Sequence, residues 1–410
     1  MFQISKEFAP PFRLIAPFFI AGVIFYLISF IALLFYTPHF TYAEPSIAGW
    51  VHLFMVGYVM MIIFGAMAQL VPVVLETGHF SVDWYYVIFP VLLIGVIGLV
   101  LGFWFDPILL SFGGLLVLVA MVIFAMDVFL TIAKTTLNSP TVKAVKLSNL
   151  FLLFGILSGF AMALTLSGFM GVEVENFLVA HVWAVVGGYV LMTIYGITLV
   201  LLPMFGLAHG FDQKPIERAI LTLSLAVALV YFGSIIEMKI IVWLGEFLGF
   251  VSVGLYLYQI YLIYQKRVRK ELDIWYRSML FGYASFIVAV LLGAVWYLAK
   301  SEALLHGAFW ALFVFFAFLI NGHLYKIIPF LVWFHRFSEL VGKQRVPMLH
   351  EMYPKKQADF QFWMSVVGSV LVLVGLLFQS DSLFKSGASF MLIGALFLAT
   401  SVKWMLGFKA

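Results

Sequence analysis

The chain has 410 residues, 64% of them hydrophobic and 10% charged, with a mean hydropathy of +1.12, which excludes a water-soluble globular or a disordered protein and reads as an integral membrane protein. Its formal net charge of +4 follows from loop topology and makes no case for nucleic acid. With no cysteine there is no disulfide, thiolate ligand or covalent haem attachment, so imidazole, carboxylate and thioether are the available metal ligands.

A spanning helix needs about 20 mostly apolar residues. The sequence predicts such runs over 14–36, 50–75, 84–104, 108–133, 148–170, 178–204, 217–236, 240–264, 278–299, 303–334, 358–378 and 386–405. The opening MFQISKEFAPPFR lacks a small-residue cleavage site, so the first run is expected to be a retained helix. Runs 2, 6 and 10 carry one motif: a histidine, an apolar stretch, Gly-x6-Pro and a second histidine. Its first copy is His52-LFMVGYVMMIIF-Gly65-AMAQLV-Pro72-VVLETG-His79. The second has His181, Gly196, Pro203 and His209; the third has His306, Gly322, Pro329 and His335. The opening histidines lie 129 and 125 residues apart, which points to three related units. Run 4 ends with Asp127 seven residues before Lys134, and run 8 echoes it with Gln259 seven before Lys266.

Lys and Arg accumulate on cytoplasmic loops. One set of loops and ends, from Lys6 to Lys409, holds 19 of the 23, whereas the other has only Lys239, Lys300 and Lys385. The expected fold is therefore all-α: a polytopic membrane protein with 12 transmembrane helices in three pseudo-symmetric four-helix units, both termini cytoplasmic, in a bacterial-type inner membrane. A single membrane domain covers 1–410, with internal repeats at approximately 1–147, 148–277 and 278–410. His52, His181 and His306 then lie toward the outer face and His79, His209 and His335 at the inner face. Residues just past Pro72, Pro203 and Pro329 are expected to have left regular helix, and the phenylalanines and tryptophans to face lipid or the interface. The polar stretch from His335 to Asp359 reads as a cytoplasmic loop with room for an interfacial segment.

A neutral imidazole ligates haem iron, copper or zinc. A lone interfacial histidine ordinarily hydrogen-bonds a loop, but threefold recurrence favours a shared role for His52, His181 and His306. They can supply a bis-histidine haem from two helices or, if all converge, a three-histidine metal site. For His79, His209 and His335 a structural role competes with a metal site, the motif glycines allow close helix packing, and the prolines end or kink the helix. His323, 17 residues after His306, is a further weak metal candidate, and Asp127, Glu246 and Lys326 are candidates for proton or ion handling.

His52-LFMVGYVMMIIF with the following Leu70-Val71-Pro72, and His306 with Gly322-His323 and Pro329, resemble helices 2 and 10 of subunit I of the haem–copper oxidase superfamily. That resemblance implies twelve helices in three arcs, with His52 and His306 as axial ligands of a low-spin haem b and copper as a second candidate cofactor. His181 matches the helix that carries a copper ligand, but the Pro-Glu and Tyr that accompany it there are missing. Leu304 stands where the family has a further histidine, and the stretch from Glu217 to Ile236 has no histidine pair. Conventional oxygen reduction with proton pumping is thus not expected. The chain is also similar to NnrS-type haem- and copper-containing membrane proteins linked to nitric oxide stress, although their closing His-Thr-Gly-Arg is absent and Gly78-His79 only echoes it.

The expectation is a haem-binding membrane protein for respiratory electron transfer or nitric oxide and oxygen handling. Quinol or cytochrome c is a candidate electron donor, a diatomic gas a candidate ligand, and membrane lipid the surrounding partner. The alternatives are a transporter or metal-handling protein using the pseudo-threefold pores, and a non-catalytic subunit of a respiratory complex; a homo-oligomer is also open.

Overall fold

The structure, a computed structural model, describes residues 10–41 and 44–409. The protein is all-helical, with 82% helix and no strand among the described residues. Among the described residues twelve helices are long and apolar enough to cross a membrane: α1 (Phe12–Leu33), α2 (Pro45–Leu75), α3 (Val82–Trp104), α4 (Ile108–Ile132), α5 (Pro140–Leu166), α6 (Val174–Gly206), α7 (Lys214–Ile235), α8 (Lys239–Gln265), α9 (Ile274–Ala299), α10 (Glu302–Arg336), α11 (Lys355–Leu377) and α12 (Asp381–Leu406).

Three starts lie five or more residues before the hydropathy runs, those of α5, α2 and α12, the last at Asp381 against a predicted 386. Helix α5 begins eight residues before the predicted 148, because Ser139 accepts a hydrogen bond from the Val142 amide (3.2 Å) and Pro140 follows as the first helical residue. Lys143 and Lys146 in its first turns hide that start from an apolar window. Helix α2 likewise starts at Pro45, five residues before the predicted 50.

The helices group into two compact units, one built mainly from Met67–Glu271 and the other from Pro11–Ala66 with residues 272–409. In the first unit α3 pairs with α4 and α7 with α8, while α5 packs against α4 and α6. In the second, α9 pairs with α10 and α11 with α12, while α1 packs on α12 and on the first half of α2. The pairs are close because glycines line them. A Cβ on Gly98 would sit 3.0 Å from Gly113 Cα, and one on Gly368 2.7 Å from the Met391 amide nitrogen. In lipid, where apolar burial between helices gains little, such backbone approach is the main source of helix association. Aromatic residues are divided between surface and interior, contrary to the expectation that they mostly face lipid. Trp275, Phe18, Phe54 and the run Phe313–Phe318 of α10 are buried, because close-packed helices still need large side chains to fill the gaps between them.

The motif has a shared architecture that its letters do not display. Helix α2 is α-helical to His52, π-helical over Leu53–Met60 and α-helical again to Leu75. Helix α6 repeats this, with an α-helix to Val182 and a π stretch over Trp183–Leu191. Helix α10 is α-helical throughout. The motif glycines each meet the preceding helix: a Cβ on Gly65 would lie 2.7 Å from Phe18 Cβ, on Gly196 2.8 Å from Ala144 Cβ, and on Gly322 2.8 Å from Ser278 Cβ.

All three motif prolines lie inside helices, which continue to Leu75, Gly206 and Arg336, so the expected exit from helix at the proline does not occur. Proline removes one amide donor, and the helix survives if the freed carbonyl finds another. Pro72 frees the carbonyl of Ala68, four residues earlier, and His79 Nε2 lies 2.7 Å from that oxygen.

Candidate functional site

His79 is 6% exposed, and its other nitrogen, Nδ1, lies 2.6 Å from Asp127 Oδ2. Asp127 is 0% exposed, and its second oxygen accepts from the Ser81 amide at 3.1 Å. Ala68 offers only an acceptor, so Nε2 carries a proton. The short contact to Asp127 carries a second, and the pair is neutral overall whichever partner formally holds it. Around it, Thr131 Oγ1 donates to the Asp127 carbonyl at 2.6 Å and Lys134 Nζ to the His79 carbonyl at 2.9 Å. Tyr85 meets the imidazole edge-on at 5.2 Å. This assembly fastens the segment after α2 to α4. Gln259 does the same for the segment after α6, accepting from the Ile216 amide at 3.3 Å and donating to the Asp212 carbonyl at 2.9 Å. The echo between Asp127 and Gln259 is therefore a common job, holding the loop that follows a motif helix. At the end of α10 the helix itself brings the donor: Arg336, its last residue, donates to the carbonyls of Leu406 and Phe408 at 2.9 and 2.7 Å.

His209 and His335 are exposed, and His335 lies against the rings of Phe12 and Phe334. No three His, Cys, Asp or Glu side chains among the described residues gather at one point.

The opening histidines differ from these and from one another. His306 is 6% exposed, and neither ring nitrogen has a hydrogen-bond partner among the described residues. Phe40, from the segment between α1 and α2, lies over its ring with centroids 4.4 Å apart and planes 35° apart. One ring nitrogen carries a proton and the other a lone pair, so a buried imidazole with both bare leaves about 1–3 kcal/mol of lost solvation uncompensated. Such a group is a Lewis base set up for a ligand.

His52 and His181 are half-buried, and each aims Nδ1 at a backbone carbonyl 2.7 Å away, Ala48 of its own helix and Gly155 of α5 respectively. Donation from Nδ1–H places the lone pair on Nε2, the arrangement in which metal-binding histidines are held. The His181 ring rests on Gly159, where a Cβ would come within 2.7 Å of Cε1. Gly155 and Gly159 thus form its seat, a role whose trace in the sequence is their spacing of four. His323 is held in the same manner, Nδ1 to the Leu319 carbonyl at 2.7 Å, with Trp275 edge-on at 5.8 Å. One turn on, Lys326 pairs with Asp273 at 2.6 Å. Glu246 is half-buried on α8.

Helix α2 meets α10 through Trp50, Phe54 and Tyr58. Trp50 lies 5.6 Å from Phe313, Phe54 5.3 Å from Phe313, and the Tyr58 hydroxyl donates to Asn321 Oδ1 at 2.7 Å. Asn321 in turn donates to the Tyr26 hydroxyl at 3.2 Å, joining α1 to the contact. At 100° per residue His52 is about 200° round the helix from Trp50. Its ring leaves the helix away from the α10 contact, whereas His306 sits one turn before Trp310, which approaches Trp50 at 6.4 Å. No protein-family model and no curated protein matches the chain, and the site is read from its own chemistry.

Proposed function

We propose that the chain is a haem-binding membrane protein on a scaffold like subunit I of the haem–copper oxidases, serving respiratory electron transfer or the handling of nitric oxide or oxygen. The observation that carries this reading is His306, a buried imidazole with two unbonded nitrogens in an apolar helix. The reading includes three pseudo-symmetric four-helix units with both termini cytoplasmic. The equivalent seating of Gly65, Gly196 and Gly322 on the preceding helix supports the repeat. His306 would hold the iron. The resemblance puts His52 opposite it, and the Ala48 carbonyl gives His52 the right tautomer, while its place on α2 turns it from the α10 contact. Haem, when bound, supplies one-electron transfer, and an open iron position takes a diatomic gas.

The transporter alternative leans on Asp127, which places one oxygen on His79 and the other on Ser81, and this speaks against an ion pathway there. The test is the visible spectrum of purified protein. Reduced protein shows the paired bands of haem b, which His306→Ala abolishes and His350→Ala, at an exposed position, leaves intact. A six-coordinate low-spin spectrum that His52→Ala converts to a five-coordinate one would assign His52 as the second ligand, and a five-coordinate wild type leaves that position to a gas. Colourless, iron-free protein would overturn the proposal.

A further inference from the structure

The segment between α1 and α2 does more than join them. Over Leu34–Thr41 it is tied down on both sides: Lys385 Nζ on α12 donates to the Leu34 carbonyl at 2.6 Å, His39 faces Asp381 of α12 at 3.6 Å, and the Tyr36 hydroxyl donates to the Ser46 carbonyl of α2 at 2.6 Å. It meets α10 through Phe40, whose ring lies on His306. The segment thus sets an apolar ring on a buried imidazole with no hydrogen-bond partner among the described residues. The His39–Asp381 pair is 58% exposed on each side and holds little, so Lys385 and Tyr36 are the firm ones.

We propose that Leu34–Thr41 is a strap closing access to His306, with Phe40 as its plug, and that a metal or flat metal-porphyrin ligand reaches the imidazole when the strap lifts. The identity of that ligand rests on the function proposed above, while the strap itself does not. Opening exchanges the Lys385 and Tyr36 hydrogen bonds for water and swings Phe40 off the ring. The helices themselves need not separate.

Labelling of the full chain in detergent with diethyl pyrocarbonate, which acylates unprotonated imidazole, tests this without haem. Rates are read at each histidine by mass spectrometry. In the wild type His306 should react far more slowly than exposed His350 and about as slowly as buried His79. Lys385→Ala should raise the His306 rate about tenfold, the population shift expected from losing one charge-assisted hydrogen bond, and Phe40→Ala, which removes the plug itself, should raise it at least as much, with His79 unchanged. Unchanged His306 rates in both variants, or wild-type labelling as fast as at His350, overturns the strap. An equal rise at His79 also counts against it, since the bundle then opens as a whole. A colourless protein with strap-dependent labelling would fail the haem reading alone, and a coloured one without it would fail the strap alone.

Discussion

His79 and His306 are equally buried, each 6% exposed, and are bonded in opposite ways. The first has both nitrogens against protein acceptors, closes a carbonyl that Pro72 left open and neutralises a buried carboxylate. The second has neither nitrogen bonded among the described residues and an aromatic ring laid over it. Burial alone therefore says nothing about which histidine is a ligand. The bookkeeping of donors and acceptors separates them: the hydrogen bonds of His79 are complete, and those of His306 are unmade among the described residues, which is what makes it the ligand in the proposed reading.

Three substitutions sharpen the contrast, in falling order of effect. His79→Ala leaves Asp127 buried without its counter-charge and Ala68 without a donor, and should cost about 3–5 kcal/mol, read as a large drop in thermal unfolding midpoint or loss of folded protein. His306→Leu should act in the other direction in ligand-free protein, raising stability by about 1–3 kcal/mol by removing an unsatisfied polar group while preserving volume. A destabilised His306→Leu would mean that the imidazole is already bonded, and the contrast would fall. Asp127→Asn is the mildest. Asparagine can offer Nδ1 a donor and keep an oxygen for the Ser81 amide, so a neutral His79 retains both bonds and the cost should be about 1 kcal/mol. A loss as large as that of His79→Ala would show that the ionic form is essential.

Much of the architecture was legible in the chain. Apolar runs of spanning length became twelve helices, the Gly-x6-Pro repeat became a repeated helix contact, and the Asp127 and Gln259 echo became two equivalent loop fastenings. What escaped had physical reasons. The π stretches after His52 and His181 are invisible because Leu-Phe-Met-Val-Gly and Trp-Ala-Val-Val-Gly are equally apolar in either helix type. The start of α5 was masked by its lysines. His79 could not be told from a ligand because its partner lies 48 residues away, and spacing alone does not pair residues on different helices. Phe40 gave no signal either, since a single phenylalanine in a short connection becomes notable only when the fold sets it on His306. The recurrence of a histidine early in three of the helices was readable, whereas the three different environments of His52, His181 and His306 required the packing.

The central claim is that His306 holds a haem iron. Its most direct test is the absorption spectrum and iron content of purified wild type beside His306→Ala and His79→Gln, the last compared at whatever yield of folded protein it gives. The account predicts reduced haem b bands and bound iron in wild type and in folded His79→Gln, and neither in His306→Ala. Full haem occupancy in His306→Ala, or no iron in the wild type, would contradict it.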